Sequence, residues 1–146
     1  MKKKEYILTG LAVLALLALF IYPRLGQKSY NGSVPCLVPD LPLALHIHPH
    51  LTIFVDGIQQ TVPTDIGLNG SCERALHTHD TSGTLHVEAQ AVRDYVLDDF
   101  LDVWGETIQK DGYNLEMKVD GAPSQEFGNL LLKDKQEIIL TYTKKV

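Results

Sequence analysis

Soft metal ligands are nearly missing from this chain. It has two methionines and two cysteines. Met1 opens the sequence and Met117 falls on the apolar phase of a strand-like alternation. That scarcity disfavours a copper(I) carrier built on thioether or thiolate. Basic residues are also few once the first 28 positions are set aside. Residues 29–146 hold eight Lys and Arg against seventeen Asp and Glu, leaving nine net negative charges. A nucleic-acid partner needs clustered Lys and Arg, so it is excluded as a reading. No glycine-rich phosphate loop, nucleotide motif or Ser-His-Asp arrangement stands out either. An acidic shell suits cations, and an ordinary solvated surface would look the same by charge alone.

One long apolar run is present, and it sits at the N-terminus. Residues 6–22 carry no charge, with Tyr6 and Tyr22 at the ends and Lys2, Lys3 and Lys4 before them. Seventeen helical residues span roughly 25 Å, the short end for a bilayer crossing. The excess of lysine ahead of the run predicts a cytoplasmic N-terminus and an extracytoplasmic remainder. A cleaved signal peptide is the rival reading, but no small-x-small cleavage site follows the run. The chain therefore divides into a cytoplasmic tip and transmembrane anchor (1–22), an extracytoplasmic tether (23–42) and a histidine-rich domain (43–146).

The tether holds four prolines and Cys36, whose only possible cysteine partner is Cys72. An isolated pair in an oxidising space is most simply a disulfide, with a metal thiolate site as the alternative. From Leu43 the pattern has period two. Leu43, Leu45, Ile47, Leu51, Ile53 and Val55 share one face, and His46, His48, His50 and Thr52 the other. Pro49 makes this strand an edge or breaks it. Asp56-Gly57 marks a hairpin turn, and Asp120-Gly121 repeats it after Leu115, Met117 and Val119. Between the hairpins, residues 94–104 carry a helical stripe of Val96, Leu97, Phe100, Leu101, Val103 and Trp104. Asp94 is the expected N-cap and Gly105 the expected stop. Residues 135–143 supply a last strand. The expected fold is α+β, a mixed or antiparallel sheet with two Asp-Gly hairpins and one packed helix, similar to a β-grasp arrangement.

The histidines dominate the chemistry. Three stand at His46, His48 and His50, and three at His77, His79 and His86. A lone histidine is usually structural, but both clusters contain His-x-His, which puts two imidazoles on one side of an extended chain. His46, His48, His50 and His86 also fall on the polar phase of otherwise apolar alternations. Residues 80–83 (Asp-Thr-Ser-Gly) suit a tight turn. A reversal there would return His86 beside His77 and His79, with shared coordination in reach. These three are the expected primary metal site. Glu88 is a candidate fourth ligand and Asp80 a group orienting a ring from behind. His46, His48 and His50 would complete the site or form a second one. Three imidazoles with an open position suit zinc or copper(II), and His86-Val-Glu88 with a distal histidine suits iron.

The run His46-Ile-His48-Pro-His50-Leu51, then His77-Thr-His79-Asp80-Thr-Ser-Gly83-Thr-Leu-His86-Val-Glu88, then Asp99-Phe-Leu-Asp-Val-Trp104-Gly105, resembles an uncharacterised family of small bacterial and archaeal extracytoplasmic proteins. The resemblance covers roughly residues 43–143 and implies no particular activity. The leading expectation is a membrane-anchored metal-binding protein, for copper or zinc, acting in binding, delivery or sensing. The alternatives are a hydrolytic or redox enzyme using a three-histidine site, and an accessory subunit of a larger membrane complex. A domain of about 118 residues rarely encloses an active-site pocket alone, which favours binding.

Overall fold

A computed structural model describes Gly32 and residues 34–146. The expected anchor at residues 6–22 and the first part of the tether lie outside the described residues. Among the described residues no helix is long and apolar enough to cross a membrane. They form a mixed α+β fold with mostly antiparallel sheets and one α-helix.

The alternating stretch over residues 43–55 forms two strands, β1 (Leu45–Ile47) and β2 (His50–Val55), the broken case of the two expected at Pro49. The break falls at Pro49, which has no N–H to give a ladder. The halves then enter different sheets, and that division positions everything below.

β2 belongs to a five-stranded sheet with β3 (Ile58–Gln60), β8 (Tyr113–Val119), β9 (Ala122–Ser124) and β10 (Glu137–Lys144), in the order β3-β2-β10-β8-β9. β2 and β10 run parallel, from His50↔Glu137 to Val55↔Tyr142, and every other pairing is antiparallel. The two Asp-Gly turns are geometric twins. Asp56 and Asp120 have φ of 49° and 50°, followed by glycines at 81° and 82°. Each aspartate also grips one end of β10. Asp56 Oδ1 accepts from Lys144 N at 2.8 Å, and Asp120 Oδ1 accepts from Glu137 N at 2.9 Å. The repeated motif thus brackets the central strand from both sides.

The second sheet is three-stranded and antiparallel: β1, β7 (His86–Ala89) and β6 (Leu76–His77), with β7 in the middle. A small pair, β4 (Leu68–Asn69) with β5 (Cys72–Glu73), precedes β6. Cys36 and Cys72 lie at disulfide distance with Cα atoms 5.2 Å apart. Leu37 N donates to Glu73 O and Ala75 N to Pro35 O, so the end of the tether is stitched to the segment leading into β6.

The helix α1 (Leu97–Trp104) starts later than the expected cap at Asp94. Its predecessors are occupied otherwise: Val96 bridges Leu131 in extended form, and Leu97 N donates to Leu130 O at 2.9 Å. Asp99 replaces Asp94 as the capping side chain by accepting from Val96 N at 3.0 Å. The stop at Gly105 is as expected, in the left-handed region. Leu97, Phe100 and Leu101 are buried, while Val103 and Trp104 are partly covered. They join Leu51, Ile53, Met117, Ile138 and Leu140 of the large sheet and Leu76 and Val87 of the small one in a single core. Phe100 is fully buried there. Phe100→Ala should therefore cost about 3–5 kcal/mol of stability, read as a lowered denaturant midpoint. An unchanged midpoint would show that the helix does not pack on this core.

Candidate metal centre

The small sheet gathers the histidines through its register. Along β7, Val87 and Ala89 face the core, so His86 and Glu88 face out. On one flank β1 pairs His46 with Glu88. On the other flank β6 pairs His77 with His86. Cross-strand partners share a face, so one outward face carries His46, Glu88, His86 and His77. His48 follows directly after β1 and His79 follows after β6. The turn expected at residues 80–83 is what reverses the chain between β6 and β7.

His86 is the hub. Its ring centroid lies 4.8 Å from that of His48, 4.6 Å from His79 and 5.2 Å from His77, nearly parallel to the last. The donor atoms fall into three overlapping sets, each with all members within 4.8 Å of one another. These are His46, His48, His86 and Glu88; His77, His79 and His86; and Glu73, His77 and Glu88.

His77 is the most constrained member. It is fully buried, and its Nδ1–H donates to Arg74 O at 2.8 Å. The loop over residues 63–67 straps this segment down. Thr78 Oγ1 donates to Pro63 O, and Thr78 N donates to Ile66 O. Gly67, at φ +77°, lies so close that a Cβ would collide with the Leu76 carbonyl and crowd His77. With Nδ1 committed to a carbonyl, Nε2 carries the lone pair. It faces His79 Nε2 at 3.1 Å and Glu73 Oε1 at 3.3 Å. Two ligands of one tetrahedral zinc, with bonds of 2.0–2.1 Å, lie about 3.3 Å apart.

Burial holds the His77 imidazole below its ordinary value near 6.5, outweighing Glu73 and Glu88, which act to raise it. His86 is also held down, chiefly by burial, with the neighbouring imidazoles adding to the effect against Glu88. Both rings are therefore neutral at pH 7, the form that binds metal. Glu88 Oε1 lies 3.2 Å from His46 Nε2 and 3.4 Å from His86 Nδ1. Asp134 Oδ1 accepts from His48 N at 3.0 Å and lies 4.0 Å from His48 Nδ1.

Two of the expected site residues, His50 as a ligand and Asp80 as an orienting group, are not brought to these rings. His50 passes into β2 of the other sheet, where its Nε2 donates to Ser82 O at 2.8 Å. Its Nδ1 lies 3.2 Å from Glu137 Oε2 without the alignment of a hydrogen bond. Asp80 is exposed and accepts from Ser82 N at 2.8 Å. That contact with Ser82 keeps its carboxyl below the usual range. Asp80 shapes the turn and makes no hydrogen bond to an imidazole ring. Glu73, in contrast, was not expected. It lies four residues before His77 in a non-helical stretch, where that spacing marks no common face, and only the β4–β5 reversal brings it close.

No protein-family model, curated protein or solved structure matches the chain.

Because His77 and His86 resist protonation in the fold, the unfolded chain takes up protons first as pH falls below 6.5. The metal-free protein should lose stability from pH 7.5 to 5.5, before most carboxylates titrate. Its melting temperature, followed under chelator, should fall over that interval, and His77→Gln should flatten the dependence. A pH-independent melt would contradict the neutral-imidazole assignment.

Proposed function

We propose that this chain is a membrane-anchored extracytoplasmic protein that binds copper or zinc at His77, His79 and His86, in metal binding, delivery or sensing. One observation carries the reading. A buried neutral imidazole points its lone pair at a second imidazole nitrogen and at a carboxylate oxygen, 3.1 and 3.3 Å away. Electron-rich atoms facing one another at that range repel unless a proton or cation lies between them. In the metal-free state His79 Nε2–H supplies the proton to His77, and a metal ion takes its place when bound.

Nitrogen and carboxylate donors suit zinc and copper(II). Both cysteines are occupied with each other, so no free thiolate favours copper(I) among the described residues. The same pairing, with the lysines ahead of residues 6–22, supports an extracytoplasmic domain on an N-terminal anchor. The strand order β3-β2-β10-β8-β9, with its parallel central pair and two flanking hairpins, supports the β-grasp-like reading of the large sheet. Apart from the buried His77, these histidines are partly or fully exposed, and a cleft of about 360 Å³ between Ile53, Trp104 and Tyr142 contains none of them. That favours binding or transfer over catalysis.

His79→Ala should weaken the tightest ion at least about tenfold, while His48→Ala leaves it in place, as read by competition with a chromogenic chelator. The reverse result would mean that the primary ligands are misassigned. Thiol labelling of the unreduced protein should find no reactive cysteine. Two reactive thiols in folded protein taken from the membrane would sink the extracytoplasmic placement.

A further inference from the structure

We infer that the histidine face holds two metal ions bridged by Glu88, an inference that rests on the metal-binding reading above. No single ion can take all the donors. Neighbouring strands run about 4.8 Å apart, so β1 and β6, on either side of β7, stand some 9–10 Å apart. Donors to one ion, with bonds near 2.1 Å, lie within about 4.2 Å of each other. None of the three donor sets holds both a residue from the His46–His48 side and one from the His77–His79 side. Five imidazoles and two carboxylates therefore divide into two halves that meet on β7.

The meeting point is specific. His86 and Glu88 both belong to the set containing His46 and His48. His86 also belongs with His77 and His79, and Glu88 also belongs with Glu73 and His77. A neutral imidazole has one free lone pair, already directed by whichever nitrogen carries its proton, so it serves one ion. A carboxylate has two oxygens and can serve one ion with each. The assignment that uses each group within its capacity gives the first ion His77, His79 and His86. The second ion takes His46 and His48, and Glu88 spans the pair. Ions joined this way sit about 4 Å apart.

Two dications at that separation repel, and the surroundings offset it. Glu73 Oε1 lies against His77 Nε2 at 3.3 Å on one side. Asp134 holds the His48 backbone on the other, 4.0 Å from the ring nitrogen. Each half thus has its own carboxylate besides the shared one. The His46 and His48 half is the more exposed, with His46 side-chain exposure of 51% against 0% for His77. The second ion is accordingly the weaker and the more exchangeable of the two. Copper(II) and zinc are the ions this donor set would take in both halves.

The test is copper(II) titration of the purified full-length chain, first stripped by chelator, with glycine as a competing ligand. The expected result is two coppers per chain, with a paramagnetic resonance intensity well below two independent spins. His46→Ala/His48→Ala alters one exposed and one half-buried side chain, neither in the core, and should leave the fold intact. It should bind one copper with the full intensity of a single isolated spin. Glu88→Gln should weaken the second copper at least about tenfold and abolish the coupling. Saturation of the parent at one copper would overturn the two-ion centre while leaving the metal-binding reading standing, and absence of copper and zinc alike would remove both. Two coppers with full uncoupled intensity, or coupling that survives Glu88→Gln, would overturn the bridge.

Discussion

The pairing of β7 with a strand on each side is the constraint on which the histidine face depends. β7 is four residues long, and alternation along it puts Val87 and Ala89 in the core and His86 and Glu88 outside. The core fixes that phase, because a one-residue slip would bury a carboxylate and an imidazole and expose Val87. With the phase fixed, the antiparallel registers on both flanks follow, and they deliver His46 to Glu88 and His77 to His86. Hydrophobic burial on the inner face thus sets the ligand geometry on the outer one. A second level of control comes from the covering loop over residues 63–67, which holds Thr78 in place, and from the Arg74 carbonyl, which occupies His77 Nδ1 and leaves Nε2 free.

Much of this was legible in the residues. Period-two alternation located β2, β7 and β8, and the apolar stripe located α1. The two Asp-Gly pairs located both hairpins. The turn at residues 80–83 placed His86 against His77 and His79, because Asp, Thr, Ser and Gly have one plausible use between two extended segments. The failures have physical causes. His50 shares the alternation of His46 and His48, yet Pro49 sends it into another sheet, and alternation says nothing about which sheet a strand joins. Asp94 looked like a cap because capping preferences are local, whereas residues 95 and 96 are held extended by pairing with residues 130–132. Glu73 left no periodic signal, since a reversal between two-residue strands brings it in.

The two sheets divide the labour. The large sheet, with β2 and β10 parallel at its centre and β3 and β9 at its edges, gives the core Leu51, Ile53, Met117, Ile138, Leu140 and Tyr142. Pro123 on edge strand β9 lacks an N–H to offer a neighbouring chain. The small sheet lies across the same core and spends its outer face on donors. The Cys36–Cys72 link and the hydrogen bonds around it tie the tether to the stretch that holds Glu73 and the Arg74 carbonyl.

The place of β10 also governs how the chain must fold. It is the last strand in sequence and the middle strand of the large sheet, bracketed at its ends by Asp56 and Asp120. Both hairpins can form from neighbouring residues as soon as they emerge, but they have no contact with each other until β10 slides between them. A chain that has emerged only as far as residue 136 presents two hairpins with bare inner edges, each a template for strands of other molecules. Loop closure between β2 and β10 spans most of the domain, which slows the decisive step. A chain whose central strand is made after both hairpins is open, until β10 docks, to pairing with its own copies.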